Sequence, residues 1–214
     1  MTAWKTIQCA LQLEIVKQKS SRFISAAWPL SAYNRKLVSD LVKQYIDIQH
    51  CKYPAATHHC YAYRTIDGRE LCSDDGEPHG TAGRPILESI QQAQLLDICV
   101  VVSRIYGGVK LGRGGLIRAY GTAAREVLEH AEIVEKVPTR LLYVRTSFSF
   151  VGMVKRACDQ FTAELVSQEY AQEAAFTVCV PVHKYVDFIS FVRTKSSGCV
   201  KVKEMEAKHL TCVV

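Results

Sequence analysis

Near the N-terminus apolar and polar side chains alternate. Leu11, Leu13 and Ile15 share one side of an extended chain, residues 22–28 offer a second extended run, and Pro29 ends it, so the pattern predicts a β-hairpin. The period then lengthens. Ser31 is placed to cap a helix, and Tyr33, Leu37, Leu41, Tyr45 and Ile48 recur at helical spacing and give it one apolar face. Residues 58–65 return to alternation, with Cys60 and Ala62 on one face of a strand and Tyr61 and Tyr63 on the other. Residues 83–96 read as a helix, with Pro85 near the first turn, where its missing N–H costs nothing, and with Ile86, Ile90 and Ala93 along one side. Residues 98–104 form an apolar run rich in β-branched side chains, the mark of a strand buried on both faces. A glycine-dense loop and a helix over residues 115–130 complete this part of the chain.

Proline and charge interrupt the pattern at "EKVPTR", residues 135–140, and a short linker is expected there, dividing the chain into domains 1–136 and 137–214. Beyond it the order is strand 141–148, helix 151–161, strands 163–169 and 174–182, helix 183–194 and strand 199–203. That β-α-β-β-α-β series is the ferredoxin-like signature. The expected fold class is therefore α+β, in two domains.

Composition narrows the class. A chain of 214 residues with 48% hydrophobic and 22% charged residues has the ordinary globular mix, which argues against wholesale disorder or a fibrous repeat. Its apolar runs fall far short of the ~20 residues of a membrane helix, and no apolar signal core opens the sequence, so a soluble, untargeted, cytoplasmic protein without a membrane partner is expected. Nine cysteines, an odd count with no CxxC pair, suit small buried thiols in a reducing compartment, Cys60, Cys99 and Cys179 among them. The net charge of +6 is mild and permits an RNA or ribosomal partner without requiring one.

The chemistry gathers where the glycines do. Nine of the twelve lie between Gly76 and Gly121, marking two special loops. The second, "RIYGGVKLGRGGLIRAYG" at 104–121, follows a buried strand and opens a helix, so its backbone N–H groups can converge on a phosphate. Arg104, Lys110, Arg113, Arg118 and Arg125 stand in it with no acidic residue between Arg104 and Arg125. It matches neither the Walker A pattern nor the dinucleotide fingerprint, which leaves phosphate contact and a purely architectural glycine turn both open. The first loop, "SDDGEPHGTAG" at 73–83, offers Asp74, Asp75 and Glu77 as acid, base or metal ligands together with His58, His59 and His79. Adjacent His58 and His59 point to opposite faces of a strand, and no spacing preorganises a metal site, so a solvated acidic turn is the competing reading.

The stretches "SRFIS" at 21–25, "HHCYAYR" at 58–64, "SDDGEPHGTAGRPIL" at 73–87 and "VVVSRIYGGVKLGRGGLIRAYG" at 100–121, in that order and spacing, closely resemble the IMPACT family, specifically its bacterial YigZ branch. The resemblance implies a first domain with the βαβ-rich fold of a small-subunit ribosomal protein domain, domain IV of elongation factor G and the homoserine-kinase superfamily. It also implies a ferredoxin-like second domain similar to domain V of elongation factor G. Eukaryotic members regulate translation by competing for a co-activator of a stress kinase. That mechanism is not expected here, because the sequence shows no N-terminal RWD-type domain.

The leading expectation is a cytosolic, non-enzymatic regulator of translation that contacts RNA or a ribosome-associated partner and needs no cofactor, metal or catalytic residue. Its binding residues are Arg104, Tyr106, Gly107, Gly108, Lys110, Gly112, Arg113, Gly114, Gly115 and Arg118, while Asp74, Asp75, Glu77 and Thr81 either touch a ligand or order the arginines. Two alternatives stay open: a phosphate- or nucleotide-binding enzyme using the acidic loop, and a protein-interaction module.

Overall fold

The computed structural model describes residues 3–30, 35–205 and 210–213, so the expected cap Ser31 and the helix-face residue Tyr33 lie outside the described residues. The chain forms two compact units, Trp4–Val134 and Glu135–Val214.

The first unit runs β1 (Trp4–Ile7), β2 (Leu11–Gln18), β3 (Ser21–Pro29), α1 (Arg35–Lys52), β4 (His58–Arg64), β5 (Glu70–Ser73), α2 (Gly83–Gln92), β6 (Ile98–Ile105) and α3 (Gly112–Glu129). Five strands form one sheet in the order β2-β3-β6-β4-β5, and every neighbouring pair is antiparallel. The apolar run of β6 makes it the central strand. Its Ile98, Val100 and Val102 join Cys60 and Ala62 of β4 against α2 and α3, and its Cys99 and Val101 face α1. Tyr61 and Tyr63 turn to the α1 side, so the two faces read from β4 are the two faces of the sheet. On the α2–α3 side the largest fully buried side chain is Tyr120, which meets Phe23 edge-on with ring centroids 5.1 Å apart.

Helix α1 corrects the sequence reading by about one position. Val38 and Val42 are buried, with Leu41 and Tyr45 packed beside them, whereas Leu37 and Ile48 face solvent. Two apolar spacings compete along this helix, and the one that wins carries a polar member: Gln49 is fully buried and accepts a 3.3 Å hydrogen bond from Ser103 Oγ of β6. Helix α2 ends at Gln92 rather than 96, because Gln94 and Asp97 take positive φ and turn the chain into β6.

The second unit holds β7 (Ile133–Thr146), α4 (Val151–Gln160), β8 (Glu164–Tyr170), β9 (Ala174–Pro181), α5 (Tyr185–Lys195), β10 (Lys201–Glu204) and β11 (Leu210–Val213). The strand order β8-β9-β7-β10 is the ferredoxin-like arrangement, with β11 also on β7. Leu142, Val144, Phe176 and Val178 of the sheet pack on Val154 and Ala157 of α4 and on Phe188 and Val192 of α5. The linker expected at 135–140 is instead strand. β7 passes through it, with Pro138 opposite Thr211 of β11 and with Val137 and Thr139 buried on either side of the proline. Among the described cysteines Cys60, Cys99, Cys158 and Cys179 are buried as expected, but Cys9, Cys51, Cys72 and Cys199 are exposed.

Candidate functional site

Each carboxylate of the acidic loop holds backbone or an arginine. Asp74 accepts the N–H groups of Gly80, Ala82 and Gly83 at 2.7, 3.0 and 2.8 Å, and so serves the start of α2, whose adjoining residue Ala82 has no side-chain cap of its own. Burial pushes its carboxyl up, but those three hydrogen bonds and the nearby His79 together hold it below the usual range. Asp75 sits in the left-handed region, at φ +41°, just past the end of β5. Pairing of β5 with β4 begins at Tyr61 and Ser73, and Asp75 extends it with a side chain, its carboxylate accepting the His59 N–H at 2.5 Å. The Asp75 carbonyl lies 2.6 Å from His58 Nδ1, which places the proton there and leaves Nε2 of that ring free to exchange hydrogen bonds. Thr81 is buried and donates to the Pro78 carbonyl at 2.6 Å, closing the turn.

Glu77 is the buried acid of the three. Its Oε1 accepts Arg104 Nη1 at 2.6 Å and the Tyr120 hydroxyl at 2.9 Å, and the side chains of Glu77 and Arg104 are only 3% and 7% exposed. Burial first, then the Cys60 thiol and Glu77, push the Tyr120 phenol far above its ordinary value, so it remains a donor. Arg104 Nη2 also reaches Ser21 Oγ at 3.4 Å, and its guanidinium lies over the rings of Phe23 and Tyr106. A charge buried this deeply needs its partner, so the acidic loop fixes Arg104 in place.

In the basic loop the glycines have separable reasons. A Cβ on Gly107 would collide with the backbone of Ser20 at the tip of the β2–β3 hairpin. Gly108 and Gly112 take φ of +84° and +72°, and a Cβ on Gly115 would crowd Leu111 at 3.0 Å. Gly114 is different: its φ is ordinary, and a Cβ there would meet only the Arg118 Nη1 at a relaxed 3.8 Å.

These loops border a cleft of about 580 Å³ lined by Thr57, His58, Glu77, Pro78, Arg104, Tyr106, Lys110, Leu111, Gly112, Arg113 and Leu116. The N-terminus of α3 opens at its edge with no side-chain cap and no acidic residue in the first turn. Cations gather there instead. Arg113 donates to the His79 carbonyl at 2.8 Å, Lys19 reaches the Lys110 carbonyl at 3.3 Å, and Arg118 lies along Gly114. Among the described residues no carboxylate pairs with Lys19, Lys110, Arg113 or Arg118.

The structure thus brings Glu77, Arg104, Tyr106, Lys110, Gly112 and Arg113 to one cleft and leaves Asp74, Asp75 and Thr81 as its scaffold. The imidazole set separates. His58 lines the cleft, whereas His59 lies on the α1 side with Nδ1 2.8 Å from Ser103 Oγ and its ring against His50, and His79 is fully exposed. No three His, Cys, Asp or Glu side chains among the described residues are grouped to hold a metal ion. Sequence reasoning missed Lys19, which the hairpin turn carries to Lys110 beside the cleft, and the link of Tyr120 to Glu77, which joins residues 43 apart.

The Impact N-terminal domain family matches residues 19–128. IMPACT family member YvyE of Bacillus subtilis (strain 168) is 34% identical over 207 residues, covering 96% of this chain and 92% of its own. IMPACT family member YigZ of Escherichia coli (strain K12) is 28% identical over 210 residues, 96% of this chain and 100% of its own. A crystal structure described only as that of an hypothetical protein superposes with a TM-score of 0.65 at 25% identity, covering 96% of this chain and 98% of the other. Every residue lining the cleft falls inside the family match, and the chain belongs to the IMPACT family.

Proposed function

We propose that this protein is a cytosolic regulator of translation that binds RNA at the N-terminus of α3, on the edge of the cleft. The observation that carries the reading is electrostatic. A helix N-terminus bears roughly half a positive charge, and each cation beside it costs about 0.3–1 kcal/mol. Lys110, Arg113 and Arg118 nevertheless crowd that end of α3 with no carboxylate among the described residues paired to them. An anion relieves that arrangement, since free N–H groups and basic side chains meet the same oxygens. Gly114 supports it: a glycine in a helix costs up to about 1 kcal/mol against alanine, and here neither φ nor packing asks for one, whereas close approach of a ligand to the backbone does. The enzyme reading is disfavoured because Asp74, Asp75 and Glu77 are each engaged with backbone N–H groups or Arg104.

The test is fluorescence anisotropy with a single-stranded RNA of mixed sequence across a salt series. Log affinity should fall linearly with log salt, and Arg113→Ala with Arg118→Ala should reduce the slope by about 1.4, at roughly 0.7 per phosphate contact on a single strand. Absence of binding, or binding indifferent to salt, overturns the proposal.

A further inference from the structure

We infer that the cleft recognises a nucleoside 5′-phosphate, with the phosphate at the first turn of α3 and the base stacked on Tyr106. The inference rests on the anion-binding reading above and adds a second half to the ligand. The cleft is not lined as a bare phosphate site would be. Its anion handles, Lys110, Arg113 and the N–H groups from Gly112 onward, lie together in sequence, while Pro78, Leu111, Leu116 and the ring of Tyr106 supply apolar wall. A volume of about 580 Å³ lies inside the range of roughly 300–1,000 Å³ typical of small-molecule sites, whereas a phosphate ion needs a small fraction of it. The ligand that uses both parts is a phosphate joined to a flat, largely apolar body.

Tyr106 is built as a platform for that body. The residue is 43% exposed, and the Arg104 guanidinium lies 5.2 Å from its ring centroid. Glu77 pins that guanidinium, so the ring rests on a fixed cation and keeps an open side for stacking. Arg104 itself lines the cleft, is 6% exposed and keeps Nε without a partner, a buried donor that the protein's own groups do not answer. On the cleft wall His58, with Nδ1 committed to the Asp75 carbonyl, offers Nε2 for a hydrogen bond to a base edge or ribose.

Charge decides between a chain interior and a terminus. A phosphodiester within RNA carries one negative charge, whereas a terminal phosphate monoester carries close to two at neutral pH. Lys110, Arg113 and the helix end together present more than two positive charges to that oxygen cluster, which matches the monoester.

Calorimetry on the full chain with three probes tests this: a short single-stranded oligoribonucleotide with a 5′-phosphate, the same strand with a 5′-hydroxyl, and free AMP. The expected result is about tenfold tighter binding of the phosphorylated strand, or binding of AMP, lost in Tyr106→Ala and kept in Tyr106→Phe, with unchanged thermal unfolding of both variants. Preference for the phosphorylated strand identifies the source as an RNA end, and AMP binding without strand binding identifies a free nucleotide and sinks the RNA reading alone. Equal, salt-dependent binding of both strands, unaffected by Tyr106→Ala, overturns the inference and leaves RNA binding standing. No binding of any probe overturns both.

Discussion

Glu77→Gln tests the idea that the acidic loop exists to hold Arg104. The substitution keeps the shape and one carbonyl oxygen but removes the charge that faces Arg104 Nη1 at 2.6 Å, in a pair whose side chains are 3% and 7% exposed. With charge centres about 4 Å apart and an effective dielectric near 20, the lost attraction is about 4 kcal/mol, within the 3–5 kcal/mol typical of a buried ion pair stripped of one partner. The cleft gives the arginine some route to water, so about 3 kcal/mol is the expected destabilisation. At a urea slope of about 2 kcal/mol/M this lowers the unfolding midpoint by about 1.5 M. Tryptophan fluorescence reads the right unit, because the chain's two tryptophans, Trp4 and Trp28, both lie within Trp4–Val134. Tyr120→Phe deletes the 2.9 Å hydrogen bond to the same oxygen and the hydroxyl's contact with the Cys60 thiol but leaves no charge alone, so its cost should be smaller, about 1.5 kcal/mol. Adding Arg104→Met to Glu77→Gln should restore part of the loss, since the stranded charge is then gone. A midpoint shift under about 0.3 M for Glu77→Gln at unchanged slope, or a larger loss in Tyr120→Phe, would refute the reasoning.

Two of the glycines in the basic loop should part company. Gly107→Ala drives a methyl into the Ser20 backbone and should destabilise by several kcal/mol in the same assay, whereas Gly114→Ala should stabilise by about 0.5 kcal/mol and yet weaken RNA binding. Asp74, whose carboxyl is held below its ordinary value of 3.8, contributes stability that is complete above that pH and lost as pH falls through the depressed value; Asp74→Asn should flatten the acid limb of a stability–pH curve there. His59 has its titration pushed below 6.5, first by burial and then by His50, so the unfolded chain takes up a proton before the folded one does. Stability should therefore be complete above pH 6.5 and decline as pH drops below it, and His59→Gln should remove that slope in urea melts at stepped pH.

Much of this architecture can be read from the chain, and the failures share a cause. The central strand β6, the two faces of β4 and the β-α-β-β-α-β order all follow from local period, because each is written within a few residues of itself. The buried face of α1 is misassigned from sequence because it includes Gln49, a side chain held in the core by Gln12 of β2 and by Ser103 on a strand 54 residues away. The "EKVPTR" stretch looked like a linker because proline and charge are local breakers, and nothing local announces that β11 will lie opposite Pro138. At the site, the acid-free basic loop was legible as charge pattern. The partner of Arg104 was not, since spacing alone cannot distinguish Glu77, turned inward, from Asp74 and Asp75, which serve the backbone beside it. Lys19 carries no signal of its own, and only the hairpin's geometry delivers it.

The bond between Glu77 and Arg104 also separates two kinds of heritable change. Residues on the acidic side carry part of the fold's stability, so a change there is felt first in unfolding. Lys110, Arg113, Arg118 and the exposed face of Tyr106 hold nothing of comparable depth, so they can be altered while the frame persists. The cleft's frame and its contact surface are therefore separable: the same loops and glycines stand whichever side chains face the opening.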